Sequence, residues 1–135
     1  MIRLLVGKKG SGKTKKLIDA AQKALTETKG NVVVLEKGAK LTYEISHKAR
    51  LIDTDAYKIS GKDALYGFVS GICAGNYDVT NILIDSTLKI IGTEMNDLET
   101  LINDLDVLCE QSKTEMVLSI SADESELPQS FSKYL

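Results

Sequence analysis

Gly7-Lys8-Lys9-Gly10-Ser11-Gly12-Lys13-Thr14 sets two glycines five residues apart, with a lysine and a hydroxyl directly behind the second. Those types in that order suit the gripping of a phosphate chain. Glycines let the backbone turn sharply and bring successive N–H groups inward, where they can coordinate phosphate oxygens. Lys13 can reach the terminal phosphates, and the Thr14 hydroxyl can ligate Mg²⁺. The chemistry also needs a strand before the loop and, after it, a helix whose N-terminus favours an anion. Both are legible. Met1 to Val6 is a short apolar run suited to a buried parallel strand, and Leu17, Ile18, Ala21, Ala24 and Leu25 recur at helical spacing. Lys8, Lys9, Lys15 and Lys16 make the loop basic. With no aromatic interleaved, they read as solvated neighbours of the phosphates rather than a nucleic-acid patch.

The eight residues match the P-loop (Walker A) pattern G-x-x-x-x-G-K-[ST] at every fixed position. At average residue frequencies such a match arises by chance in about one chain of this length in a few hundred. A second signal is Asn81-Ile82-Leu83-Ile84-Asp85, an apolar strand ending in an acid, the form of a Walker B segment. In a parallel sheet the carboxyl ends of the strands face one crevice, which places Asp85 to hold Mg²⁺ opposite Thr14. Asp53, after Leu51-Ile52, is the competing strand-end acid. Asp85 is followed by Ser86 rather than a glutamate, so the candidate for orienting an attacking water is Glu36, which ends the run Val32 to Leu35.

The elements that must position these residues alternate. Lys29-Gly30-Asn31 stops the first helix, and Val32 to Leu35 forms a second buried strand. Leu41-Thr42-Tyr43-Glu44-Ile45 alternates as an edge strand would, and Ala49 to Asp53 reads as another short strand. Ser60 with Asp63 resembles a capping box opening a helix that carries Leu65, Phe68, Val69, Ile72 and Cys73 on one face and stops at Gly75-Asn76. After the strand ending at Asp85 comes a polar connection, then a helix over roughly 95–111, then a last strand from Glu115 to Ser121. The tail from Ala122 to Leu135 reads as peripheral. Strands alternating with helices predict one α/β domain over residues 1–135: a three-layer αβα arrangement about a mainly parallel sheet of about five strands, of the P-loop NTPase kind.

Composition narrows the function classes. The 135 residues carry seventeen Lys and Arg against nineteen Asp and Glu, a net charge of −2, which gives no general hold on nucleic acid or on an anionic membrane. No run approaches a membrane span and the N-terminus lacks a signal-peptide core, so a cytoplasmic location is expected, without direct membrane binding. Cys73 and Cys109 sit on apolar helix faces and read as core, His47 reads as a surface residue, and no zinc-ligand cluster exists.

Over residues 1–36 and 80–121 the chain resembles the RecA-like group of P-loop ATPases. The resemblance implies ATP and Mg²⁺ as cofactors, Glu36 as the catalytic glutamate with Lys13 and Asp85, and a sensing polar residue on the last strand, for which Ser119 or Ser121 would serve. The expected function is a slow or partner-activated ATPase, as a homo-oligomer or with a protein partner. A nucleotide-responsive binding module that turns over little is the alternative, favoured by the missing Asp-Glu pair and by scarce arginine. A small-molecule kinase is the third. Only Arg3 and Arg50 exist, and Arg50 is the one arginine sequence position allows at the phosphates. No guanine-reading Asn/Thr-Lys-x-Asp signature occurs, which favours ATP over GTP.

Overall fold

Val32, Val34 and Leu83 pack to one side of a sheet while Val33, Leu35, Ile82 and Ile84 pack to the other. Strands buried on both faces read as continuous apolar runs, and that is the state of the middle of this molecule. The computed structural model describes residues 1–135. Five strands, β1 (Ile2–Gly7), β2 (Asn31–Glu36), β3 (Arg50–Asp53), β4 (Val79–Ile84) and β5 (Glu115–Ser121), form one sheet in the order β1-β5-β4-β2-β3. Every pairing is parallel, so the sheet is wholly rather than mainly parallel.

Helix α1 (Lys13–Glu27) covers one face through Leu17, Ala21 and Ala24. Helices α2 (Lys62–Gly75), α3 (Thr87–Ile91) and α4 (Met95–Ser112) cover the other, where Leu65, Val69, Leu98, Leu101, Ile102 and Leu105 build the larger core. Helices thus lie on both faces of the sheet, as the alternation of elements predicts. No helix is long and apolar enough to cross a membrane.

Four local expectations are corrected. Leu41 to Ile45 is no strand: residues 39–45 run through turns, with Leu41, Ile45 and Ala49 buried against α1 and β2. Burial at every fourth residue is the period of a coiled segment, and the alternation of apolar and polar types there was coincidental. The first helix ends at Glu27, before Lys29-Gly30-Asn31, because Thr28 turns extended at φ −93° and ψ 150°, its N–H making the last helical bond to the Ala24 carbonyl at 2.9 Å. Ser60 and Asp63 form no capping box. Gly61 occupies the N-cap of α2 at φ +91°, a left-handed region glycine adopts without strain, and its N–H donates to the Ile90 carbonyl. The connection after Asp85 contains α3, whose apolar side chains are buried.

The tail is not peripheral. Phe131 is 1% exposed and Tyr134 is buried, both within the main core, and the Tyr134 hydroxyl donates to Asp106 Oδ2 of α4 at 3.0 Å. The segment Gln129–Tyr134 packs on β1, an edge strand of the sheet that α1 and α4 also touch.

Candidate functional site

A parallel sheet brings every strand's carboxyl end to one edge, and there the sequence places Gly7, Glu36, Asp53, Asp85 and Ser121. The loop leaving β1 turns through Gly10 at φ +85° and Gly12 at φ +87°, both left-handed, with Gly12 as the N-cap of α1. A side chain at either would be strained. Gly7 is needed for a different reason: a β-carbon there would fall on Ser11 Oγ. Lys13, first residue of α1, is 8% exposed and curls back so that Nζ donates to the Lys8 carbonyl at 2.9 Å, with Ser11 Oγ at 3.5 Å. Its ammonium is therefore held inside the turn. Lys8 itself points away and meets Asp123 at 3.6 Å, an exposed pair that adds little stability.

Across the sheet edge, Asp85 is 7% exposed and set by four contacts, one of them from Ser86 Oγ to Oδ2 at 3.4 Å. Its N–H donates to the Leu35 carbonyl at 2.9 Å, Ser119 Oγ donates to Oδ1 at 2.7 Å, and Thr14 Oγ1 lies 3.5 Å from the same oxygen. Strand β5 runs between β1 and β4, and this order brings Ser119 to Asp85. The Ser119 hydroxyl also accepts the Ser86 N–H at 2.7 Å, so it ties β4's exit to β5. Ser121 pairs with Gly7 and is exposed. Thr14 Oγ1 and Asp85 Oδ1 stand close to the spacing of about 3 Å between adjacent ligands of octahedral Mg²⁺, and a hydroxyl with a carboxylate is the hard oxygen set that ion takes. No three His, Cys, Asp or Glu side chains gather into an all-protein metal site.

Glu36 is 4% exposed. Both carboxylate oxygens are engaged: Oε1 accepts the Lys40 N–H at 3.0 Å and Oε2 the Leu41 N–H at 2.9 Å. Burial pushes its carboxyl above the ordinary range. The two N–H groups oppose that push, and the nearby charges of Asp85 and Asp53 add to it. Asp53, the competing acid, does not line the cavity. Its Oδ1 accepts the Gly38 and Asp55 N–H groups and shapes the turn after β2.

A cavity of about 510 Å³ joins these parts. Lys13, Thr14, Glu36, Asp85, Ser119 and Ser121 line it together with Lys9, Gly10 and Gly12, whereas Gly7, Lys8 and Ser11 do not reach it. Five residues in its wall carried no sequence signal of their own: Lys37, Lys40 and Leu41 behind β2, and Ser86 and Lys89 behind β4. The hint lay in position, since each follows a strand-end acid by one to five residues. Lysines outnumber carboxylates in this wall five to two, and one residue of fourteen is apolar, so the cavity is built for anions. Neither arginine comes near. Arg3 and Arg50 lie at the amino ends of β1 and β3, at the opposite edge of the sheet, and Arg50 with Lys48 lines a separate cleft of about 340 Å³ beside α2. Cys73, Cys109 and His47 stand outside the site, the cysteines buried and the histidine exposed. Burial pushes the Cys109 thiol up to about 11, which leaves it unreactive. No known protein-family model and no curated protein matches the chain, and the site's chemistry rests on its own residues.

Proposed function

We propose that this chain is a P-loop NTPase of RecA-like build that binds Mg²⁺ with a nucleoside triphosphate, ATP by preference, and hydrolyses it slowly or on contact with a partner. In this reading Gly7 to Thr14 cradles the phosphates, Lys13 neutralises the terminal ones, and Thr14 with Asp85 holds Mg²⁺. Glu36 orients the attacking water, Ser119 holds Asp85, and the protein works in the cytoplasm. The observation that carries it is the meeting of a buried lysine in a glycine turn with a buried aspartate 3.5 Å from the adjoining threonine hydroxyl, all opening on one lysine-rich cavity.

Calorimetry with ATP, GTP and ADP, with and without Mg²⁺, tests the binding. Lys13→Ala removes a charged phosphate contact and should weaken ATP about 10- to 150-fold; an unchanged dissociation constant refutes the assignment. Phosphate release tests the chemistry: Glu36→Gln should still bind nucleotide while turnover collapses.

A nucleotide-responsive binding module is the second reading. It is favoured by the hydrogen bonds of both Glu36 oxygens to main-chain N–H groups and by the distance of both arginines from the site. Nucleotide binding with no phosphate release, alone or with candidate partners, would select it.

A further inference from the structure

P-loop enzymes that transfer a phosphoryl group commonly add an arginine to the charges that stabilise the terminal phosphate. Neither arginine of this chain stands at the sheet edge where such a charge would lie. The cavity wall opposite the glycine turn instead carries three lysines, Lys37 and Lys40 on the turn after β2 and Lys89 on α3. Lys37 is already neutralised by Asp55 at 2.7 Å. Lys40 and Lys89 have no carboxylate within ion-pair distance and no side-chain hydrogen bond. Two ammonium groups without an ion-pair partner thus border a cavity in which lysines already outnumber carboxylates, an arrangement that favours an anion.

The spacing suits a triphosphate. Strands β1 and β2 are three places apart in the sheet, about 14 Å at ordinary strand separation. A glycine turn on one side and flexible lysine stems on the other can close on a phosphate chain across that width. Lys89 follows Asp85 by four residues and Lys40 follows Glu36 by four, so each stands beside one of the two buried carboxylates that point to the reacting end.

We infer that Lys40 and Lys89 form a clamp on the terminal phosphate and supply, within one chain, the positive charge that an arginine from a neighbouring subunit would otherwise bring. The inference rests on the proposed nucleotide-binding reading and extends it. The clamp distinguishes triphosphate from diphosphate, and the site is electrostatically complete without a second subunit.

Calorimetry with Mg²⁺ and either ADP or a non-hydrolysable ATP analogue tests this on the parent, Lys40→Ala, Lys89→Ala and the double variant. Lys40→Ala keeps the main-chain N–H that Glu36 accepts, so it removes the side chain alone. Each single variant should weaken the triphosphate analogue about 10-fold and leave ADP within 2-fold, and Lys→Arg at either position should restore the analogue's affinity. Equal weakening of both nucleotides, or no change in either, overturns the clamp while the binding reading stands. A folded parent that binds neither nucleotide overturns both.

Discussion

Replacing Ser119 by alanine should cost about 2–3 kcal/mol of stability, although it deletes only one oxygen atom from an interior strand of the sheet. Ser119 is 1% exposed, and its hydroxyl both donates to the Asp85 carboxylate and accepts the Ser86 N–H, each at 2.7 Å. A hydrogen bond to a charged acceptor contributes about 1.5–3 kcal/mol, and a buried N–H left without a partner costs about 1–3 kcal/mol. The two do not add in full, because Ser86 is only half-buried and the adjoining cavity can admit water to its N–H. For a chain of 135 residues, 2–3 kcal/mol lowers the melting temperature by about 7–10 °C. Urea unfolding should show the loss with an unchanged m value, since the surface exposed on unfolding is the same. Ser121→Ala is the control on the same strand: Ser121 is exposed and makes no side-chain hydrogen bond, so its loss should stay within about 0.5 kcal/mol. If Ser119→Ala falls within that margin too, the hydroxyl does not hold Asp85 and the polar core of the site has been misread.

Glu36 makes stability depend on pH in an identifiable direction. Its folded carboxyl is raised above an ordinary 4.5, so the folded state binds the proton more tightly and Glu36's contribution falls as pH rises from about 4.5 through the folded value. The stability of the parent relative to Glu36→Gln should therefore decline over that window in denaturant titrations; a difference that rises with pH contradicts the burial argument. Tyr134→Phe should cost about 1–2 kcal/mol by removing the hydroxyl donated to Asp106. Burial and that hydrogen bond push the Tyr134 phenol up to about 12, so absorbance at alkaline pH should show one tyrosine of five ionising last, and a single common step would refute it. Gly7→Ala should destabilise by about 1–3 kcal/mol through collision with Ser11, and Ser11→Gly in the same chain should recover part of that in a double-mutant cycle.

The elements legible in the sequence were those whose burial imposes a pattern. Val32 to Leu35 and Ile82 to Ile84 lie between two helix layers and must be apolar throughout, and Leu98, Leu101, Ile102 and Leu105 keep a helical stripe because α4 faces a single core. Leu41 to Ile45 misled because three apolar residues anchoring a turn-rich segment are too few to fix a period. The tail misled because its burial rests on two aromatics, Phe131 and Tyr134, among polar neighbours. At the site, the glycines, Lys13 and Asp85 were legible because each type has a backbone or charge reason to stand where it does. Lys40 and Lys89 were not, because a lysine after a strand looks like any solvated lysine until the sheet order brings both to one cavity.

Under the proposed function, the Glu36 contacts join the cation to the clamp. A carboxylate offers about four acceptor positions, and the Lys40 and Leu41 N–H groups occupy two, so Glu36 can hold the turn and still accept a hydrogen bond from water. That holds only while the group is ionised, and burial together with the charges of Asp85 and Asp53 pushes it toward the protonated form. A divalent cation between Thr14 and Asp85 would offset the Asp85 charge and so favour the carboxylate. The carboxylate then accepts the N–H of Lys40 more strongly, which fixes the turn from which that lysine reaches the phosphate. In that reading Mg²⁺ binding, the ionisation of Glu36 and the placement of Lys40 would be coupled through the turn after β2.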